Sequence, residues 1–235
     1  MKISILTGKF GMGHYTAAMA IKQQIDASNL DADVEVVDWF SYVAPKTAEK
    51  YYKFFSLLVC KGNRLYNTRY RFLENRKIEQ KPELSHYFGW HFKKFMEEKS
   101  PDLIISTLPF CSQIVSIYKE KTGSDLPLIT CVTDITGHSE WISKNTDLYL
   151  VGSTSVKDKF IGKGVLPEKI RETGIPVRME FMKKALSKEK SNCPAARRIL
   201  VMGGGLGLIR ENSEFYNGLN SLPDAEVTII SGNNH

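Results

Sequence analysis

Lys2-Ile3-Ser4-Ile5-Leu6-Thr7-Gly8-Lys9-Phe10-Gly11-Met12-Gly13-His14-Tyr15-Thr16-Ala17-Ala18 is the stretch whose reading decides the fold. Its first six residues form a short run centred on Ile3, Ile5 and Leu6, which predicts a buried strand over residues 2–7. The glycines that follow open a helix predicted over residues 15–27. Glycine lets a backbone approach a ligand closely, and a helix N-terminus presents free N–H groups and a partial positive charge. His14 stands at that opening, at the carboxyl end of the first strand, the edge at which open α/β sheets bind ligands. A histidine there is a candidate proton-transfer group. The plainer alternative is a capping or merely exposed histidine.

The glycines do not make a dinucleotide fingerprint. Gly8, Gly11 and Gly13 run G-x-x-G-x-G rather than G-x-G-x-x-G, and position 16 is Thr. Asp38, at the end of the second predicted strand, is the one feature that suits a ribose, and it keeps a dinucleotide as a minor alternative.

Further strands are predicted over residues 34–37, 103–106, 128–132, 148–151 and 170–173, with helices over 111–121 and 155–163. The alternation predicts an α/β, doubly wound parallel sheet. Residues 39–100 interrupt it between the second and third strands. Tyr51, Phe54, Phe55, Leu58 and Val59 recur there at helical spacing, so part of this stretch is expected to be an amphipathic helix. An insertion of that length is usually functional.

Residues 183–196 are polar, include Pro194, and read as a helix and linker. Residues 198–202 begin a new strand, followed by Gly203-Gly204-Gly205-Leu206-Gly207, a helix to about Leu222, and a strand over 227–231. This is the first βαβ of a second Rossmann-like domain. Two strands and one helix bury too little to stand alone. The expected division is therefore 1–195 as the first domain and 196–235 as the start of a second, incomplete one.

The chain has 235 residues and a formal net charge of +6. Residues 46–99 hold 13 Lys/Arg against 6 Asp/Glu, together with 12 aromatic residues. Basic and aromatic side chains mixed in this way suit an anionic membrane interface. A solvated helical face over ordinary core aromatics is the competing reading. Nucleic acid is not expected, since no recognised binding motif is present. No apolar run reaches the roughly 20 residues of a membrane span, and a strand beginning at residue 2 argues against a signal peptide. Cys60, Cys111, Cys131 and Cys193 lack C-x-x-C spacing and read as reduced thiols of a cytoplasmic protein. Asp31-Ala32-Asp33 sits at the wrong edge of the sheet for a ligand site and reads as a solvated turn.

Four blocks, in this order, resemble family 28 of the glycosyltransferases, in particular its monogalactosyldiacylglycerol synthase and processive diacylglycerol β-glucosyltransferase group. They are Gly11-Met12-Gly13-His14 with Ala17-Ala18; Thr133-Asp134-Ile135-Thr136-Gly137-His138 with Trp141; Gly174-Ile175-Pro176-Val177 with Phe181; and Ile199-Leu200-Val201-Met202-Gly203-Gly204-Gly205 with Ser231-Gly232-Asn233. The resemblance covers the first domain and the beginning of the second.

It implies a GT-B fold and an inverting transfer of a hexose from a UDP-sugar to diacylglycerol or a related lipid, without a metal or other cofactor. His14 is similar to the family's base, and Asp134 would orient it or hold the acceptor hydroxyl, unless it is a helix N-cap. Gly11, Gly13, His138 and Trp141 would line the acceptor side. Gly203, Gly204, Gly205 and Gly207 would cradle the pyrophosphate, with Gly232 and Asn233 beside the uridine. The protein would be cytoplasmic and peripherally attached to an anionic membrane. The alternatives are an N-acetylglucosaminyltransferase of the lipid II type and a non-catalytic lipid-binding fragment.

Overall fold

The structure, a computed structural model, describes residues 1–61, 85–186, 197–204, 209 and 212–232. Strand β1 (Lys2–Thr7) is buried along all but its first residue. It leads into helix α1 (Gly13–Asp26), then β2 (Asp33–Asp38), α2 (Trp39–Val43), α3 (Ala48–Lys61) and α4 (Ser85–Lys99). Next come β3 (Leu103–Ser106), α5 (Pro109–Thr122), β4 (Leu128–Cys131), a 3-10 turn at Ser139–Trp141 and β5 (Leu148–Val151). The first sheet closes with α6 (Thr154–Gly162), a 3-10 turn at Pro167–Lys169, β6 (Ile170–Glu172) and α7 (Met179–Leu186). A second unit follows: β7 (Arg197–Met202), α8 (Ser213–Asn220) and β8 (Ala225–Ile230).

The first six strands form one parallel sheet in the order β2-β1-β3-β4-β5-β6, as expected of a doubly wound fold. Alternation along β1 explains why both of its faces are covered. Ile3 and Ile5 pack with Ala18 of α1, Val34 and Ile105 on one side. Leu6 joins Trp39, Phe92, Phe95, Ile104 and Ile114 on the other. A third cluster, including Trp141, Tyr149, Val156 and Phe160, fills the far end of the sheet. Local signals agree with these elements. Helix α5 begins with a proline and ends at left-handed Gly123, and Ser153 caps α6 through the Val156 amide.

The strand order reverses at β1. Connections run from β1 outward to β2, and then back past β1 to β3. That reversal opens a crevice at the carboxyl ends of β1 and β3. Among the described residues, the insertion between β2 and β3 supplies the helices α2, α3 and α4. The expected amphipathic helix is α3, and Phe54 on it is 64% exposed. In the second unit, β7 and β8 are parallel and paired from Arg197 with Ala225 to Met202 with Ile230, the predicted βαβ.

Candidate functional site

The loop between β1 and α1 is built to hold an unusual backbone. Gly11 and Met12 both have left-handed φ, 65° and 67°. Glycine adopts this freely, whereas a methionine there stores strain of the kind found at functional sites. Helix α1 has no side-chain cap and no acid in its first turn. His14, in the first turn of the helix, therefore stands at a helix N-terminus that no side chain caps.

Three strand ends converge on His14. Its Nδ1 lies 2.7 Å from the Thr133 hydroxyl, just past β4. Its carbonyl lies 3.0 Å from the Thr107 hydroxyl, just past β3. That hydroxyl donates to the carbonyl and accepts from Thr7, at the end of β1, across 2.8 Å. The Trp141 ring flanks the imidazole at 5.8 Å between centroids, and its indole N–H donates to Asp134 at 2.9 Å.

Burial lowers the pKa of His14 below the ordinary 6.5, while the Asp134 carboxylate and a hydrogen bond with the Thr107 backbone push it back up. The net direction is down, which favours the neutral imidazole, the form that can accept a proton. When Nδ1–H donates to Thr133, Nε2 carries the free lone pair.

Asp134 does not cap a helix. It accepts from Trp141 and acts on His14 through its charge. His138 and Trp141, expected along a cleft wall, are 1% and 0% exposed. His138 Nδ1 accepts from the Glu140 amide and starts the 3-10 turn that seats Trp141. Both support the loop from beneath. Ile135 of this loop faces outward, 81% exposed, beside the exposed Thr136. Lys159 and Lys163 hold the loop by donating to the Thr136 and Gly137 carbonyls, each at 2.9 Å.

Thr133, Thr107 and Thr7 were not among the residues expected at the site. A signal was available: each is a hydroxyl residue that ends or closely follows an apolar strand at the sheet's carboxyl edge.

Asp38 is not free for a ribose. It caps α2, accepts from the Ser41 hydroxyl at 2.7 Å and from Tyr52, and lies 3.8 Å from the Lys9 ammonium. Asp31 and Asp33 lie at the opposite, amino edge of the sheet, where the Asp33 amide bonds Met1.

In the second unit, Gly203 and Gly204 follow the carboxyl end of β7, and Gly204 has φ 67°. Gly232 follows β8 with φ 62°. Gly205, Gly207 and Asn233 lie outside the described residues.

On the insertion, Tyr51, Phe54 and Leu57 of α3 are exposed, as are Tyr87 and Trp90 of α4, beside the exposed Lys50, Lys53, Lys93 and Lys94. Among the described residues, no helix is long and apolar enough to cross a membrane. Cys111 and Cys131 are buried and unpaired, and burial raises the Cys131 pKa to about 12.

The sequence profile of the monogalactosyldiacylglycerol (MGDG) synthase family matches residues 14–177. A processive diacylglycerol beta-glucosyltransferase of Bacillus cereus is 31% identical across 99% of the chain. Its counterpart in Bacillus thuringiensis is 30% identical over the same share. The chain spans 61% of the length of each. Among solved structures, the apo form of the lipopolysaccharide outer core galactosyltransferase WaaB matches with a TM-score of 0.54 at 14% identity, over 97% of this chain and 60% of that one. MurG of Acinetobacter baumannii matches with the same TM-score and identity, over 99% and 59%. At such identity the likeness is one of fold, and that fold is the GT-B type expected from the sequence.

Proposed function

The chain belongs to the monogalactosyldiacylglycerol synthase family, and from that premise we propose that it carries the acceptor side of an inverting glycosyltransferase that moves a hexose from a UDP-sugar to diacylglycerol or a related lipid. One observation carries the reading. A histidine held neutral by burial sits in the sheet's crevice, with its Nδ1 engaged by Thr133.

An alcohol is a poor nucleophile until a base takes its proton in the transition state. In this reading His14 Nε2 takes the proton of the acceptor hydroxyl. The freed oxygen electron pair attacks the anomeric carbon from the face opposite the UDP, and the carbon–oxygen bond to UDP breaks. Asp134 stabilises the imidazolium that forms. The leaving diphosphate meets backbone N–H groups at Gly203 and Gly204, with Gly232 nearby at the end of β8. Gly205, Gly207 and Asn233 extend this donor role by resemblance. Gly11 and Gly13 keep the acceptor side open, since a Cβ at either would meet nothing within 4 Å. His138 and Trp141 act from below, through Asp134 and His14. The reaction needs no metal.

The acceptor is a lipid, so the protein must reach a membrane. Its exposed aromatic and lysine side chains on α3 and α4 suit peripheral attachment to an anionic surface from the cytoplasm.

The test uses the protein produced from its own gene, with UDP-glucose or UDP-galactose and diacylglycerol in phosphatidylglycerol vesicles. A glycolipid product, undiminished by EDTA, is expected. Absence of product with both sugars rejects the reading.

A further inference from the structure

The loop that carries His14 has little rigidity of its own. It contains Gly8, Gly11 and Gly13, and no side chain packs near a Cβ position of the last two. It is held instead through residues 9 and 10. The Phe10 ring lies directly over Gly8, whose Cβ would come within 3.2 Å of it. That ring also meets Phe40 of α2 edge-on at 5.0 Å, and Tyr51 and Tyr52 of α3 at 6.0 and 4.8 Å. Lys9 reaches Asp38, whose side chain is only 8% exposed, and Asp38 in turn accepts from Tyr52. The insertion and the His14 loop are thus joined by an aromatic contact and by a buried carboxylate.

Tyr51 belongs to both sides of this joint. Its ring stacks on Phe40 at 5.2 Å and 13°, while half of the residue is exposed next to Phe54 and Leu57 on the outer face of α3.

We propose that Phe10, Asp38 and Tyr52 are positioning residues for His14, tying the acceptor-side helix α3 to the loop that aims the base. This rests on the reading of His14 as the base. The joint acts on reaction geometry: it fixes where the imidazole stands relative to α3, whose exposed aromatic face is the one proposed above to meet the membrane. It does not set the imidazole's charge, which burial, Asp134 and the Thr107 backbone determine. A misplacement of about 1 Å at a reacting group costs on the order of 10²-fold in rate.

The experiment compares Phe10→Ala, Phe10→Leu and Tyr52→Phe with the unaltered protein produced from its own gene. It follows glycolipid synthesis from UDP-glucose and diacylglycerol vesicles, and amide hydrogen exchange at residues 11–14. Phe10→Ala is expected to lower kcat on the order of 10²-fold, to leave KM for UDP-glucose and the acid-side pH limb in place, and to speed exchange at residues 11–14 while β3 and β4 stay protected. Phe10→Leu restores most of the turnover. Tyr52→Phe, which removes a single oxygen, shows the same pattern more weakly. Unchanged kcat in Phe10→Ala and Tyr52→Phe overturns the proposal, and so does exchange that rises uniformly across the sheet. His14→Ala separates the two readings. If that variant keeps its turnover, the base assignment fails, and the exchange at residues 11–14 decides the tie by itself.

Discussion

His14 and Thr133 are 119 positions apart in the chain, yet the imidazole Nδ1 and the threonine hydroxyl stand 2.7 Å from one another. The contact joins the helix after β1 to the loop after β4, across the carboxyl end of β3. It engages the Nδ1 side of the ring.

His14→Ala is expected to lower kcat by roughly 10²–10⁴-fold, the usual contribution of a general base. UDP affinity, measured by calorimetry, should stay near that of the unaltered protein. Near-full turnover on the lipid acceptor would remove His14 from the reaction.

Thr133→Val keeps the side-chain shape and deletes the hydroxyl. The ring loses its orienting partner, a hydrogen bond of about 1 kcal/mol, so kcat should fall several-fold to about tenfold with KM for the donor little changed. Thr133→Ser should restore most of it. Equal kcat in the Val and Ser variants would show that the ring is oriented by other contacts.

The pH dependence follows from the direction of the His14 shift. Burial holds its pKa below 6.5, so the acid-side limb of kcat/KM should lie below pH 6.5. The Asp134 charge raises that pKa, and Asp134→Asn should therefore move the limb to still lower pH. Stability carries the same sign. A histidine depressed in the folded state contributes stability that is present above pH 6.5 and lost as pH falls through the folded value. His14→Gln should flatten the fall of the melting temperature over that acid range. A limb above pH 6.5 would contradict the assignment.

Attachment to vesicles should depend on both charge and aromatic area. Each lysine near an anionic surface contributes on the order of 1 kcal/mol. Replacing Lys50, Lys53, Lys93 and Lys94 by Ser should weaken co-sedimentation with phosphatidylglycerol vesicles at low salt. Replacing Phe54 and Trp90 by Ser should remove the part that survives high salt. Co-sedimentation unaltered by all six changes would make this face an ordinary solvated surface.

The sheet was legible because its strands are buried on both faces and so read as short apolar runs. Ile3 and Ile5 on one side and Leu6 on the other are enough to mark β1. The helix opening at Gly13-His14 was legible for a similar reason: glycines have few other uses there. The insertion was legible only in part, since α2 and α4 owe their places to contacts such as Trp39 with Phe92 and Phe95, made across more than fifty residues. The site was half legible. His14 and Asp134 stand out by chemistry, but a threonine's role depends on a partner far along the chain. Burial decided His138 and Trp141 otherwise than expected. Their residue types suit a cleft, and only packing reveals that they lie beneath it.

The joint between Phe10 and the insertion also constrains how this region can diversify. The insertion hangs from the sheet at Asp38 and returns by Asp102, which accepts from the Lys2 amide at 2.7 Å. Those two hinges leave the strand register untouched whatever lies between them, so residues 39–100 could be exchanged for a homologous stretch like a cassette. The placement of His14 would not follow automatically. A chimaera that imports a foreign α2 and α3 inherits a Phe10 cut for other partners. On the proposed joint, the glycine-rich loop and the inserted helices form one unit to be exchanged together, although α1 and β2 separate them in the sequence.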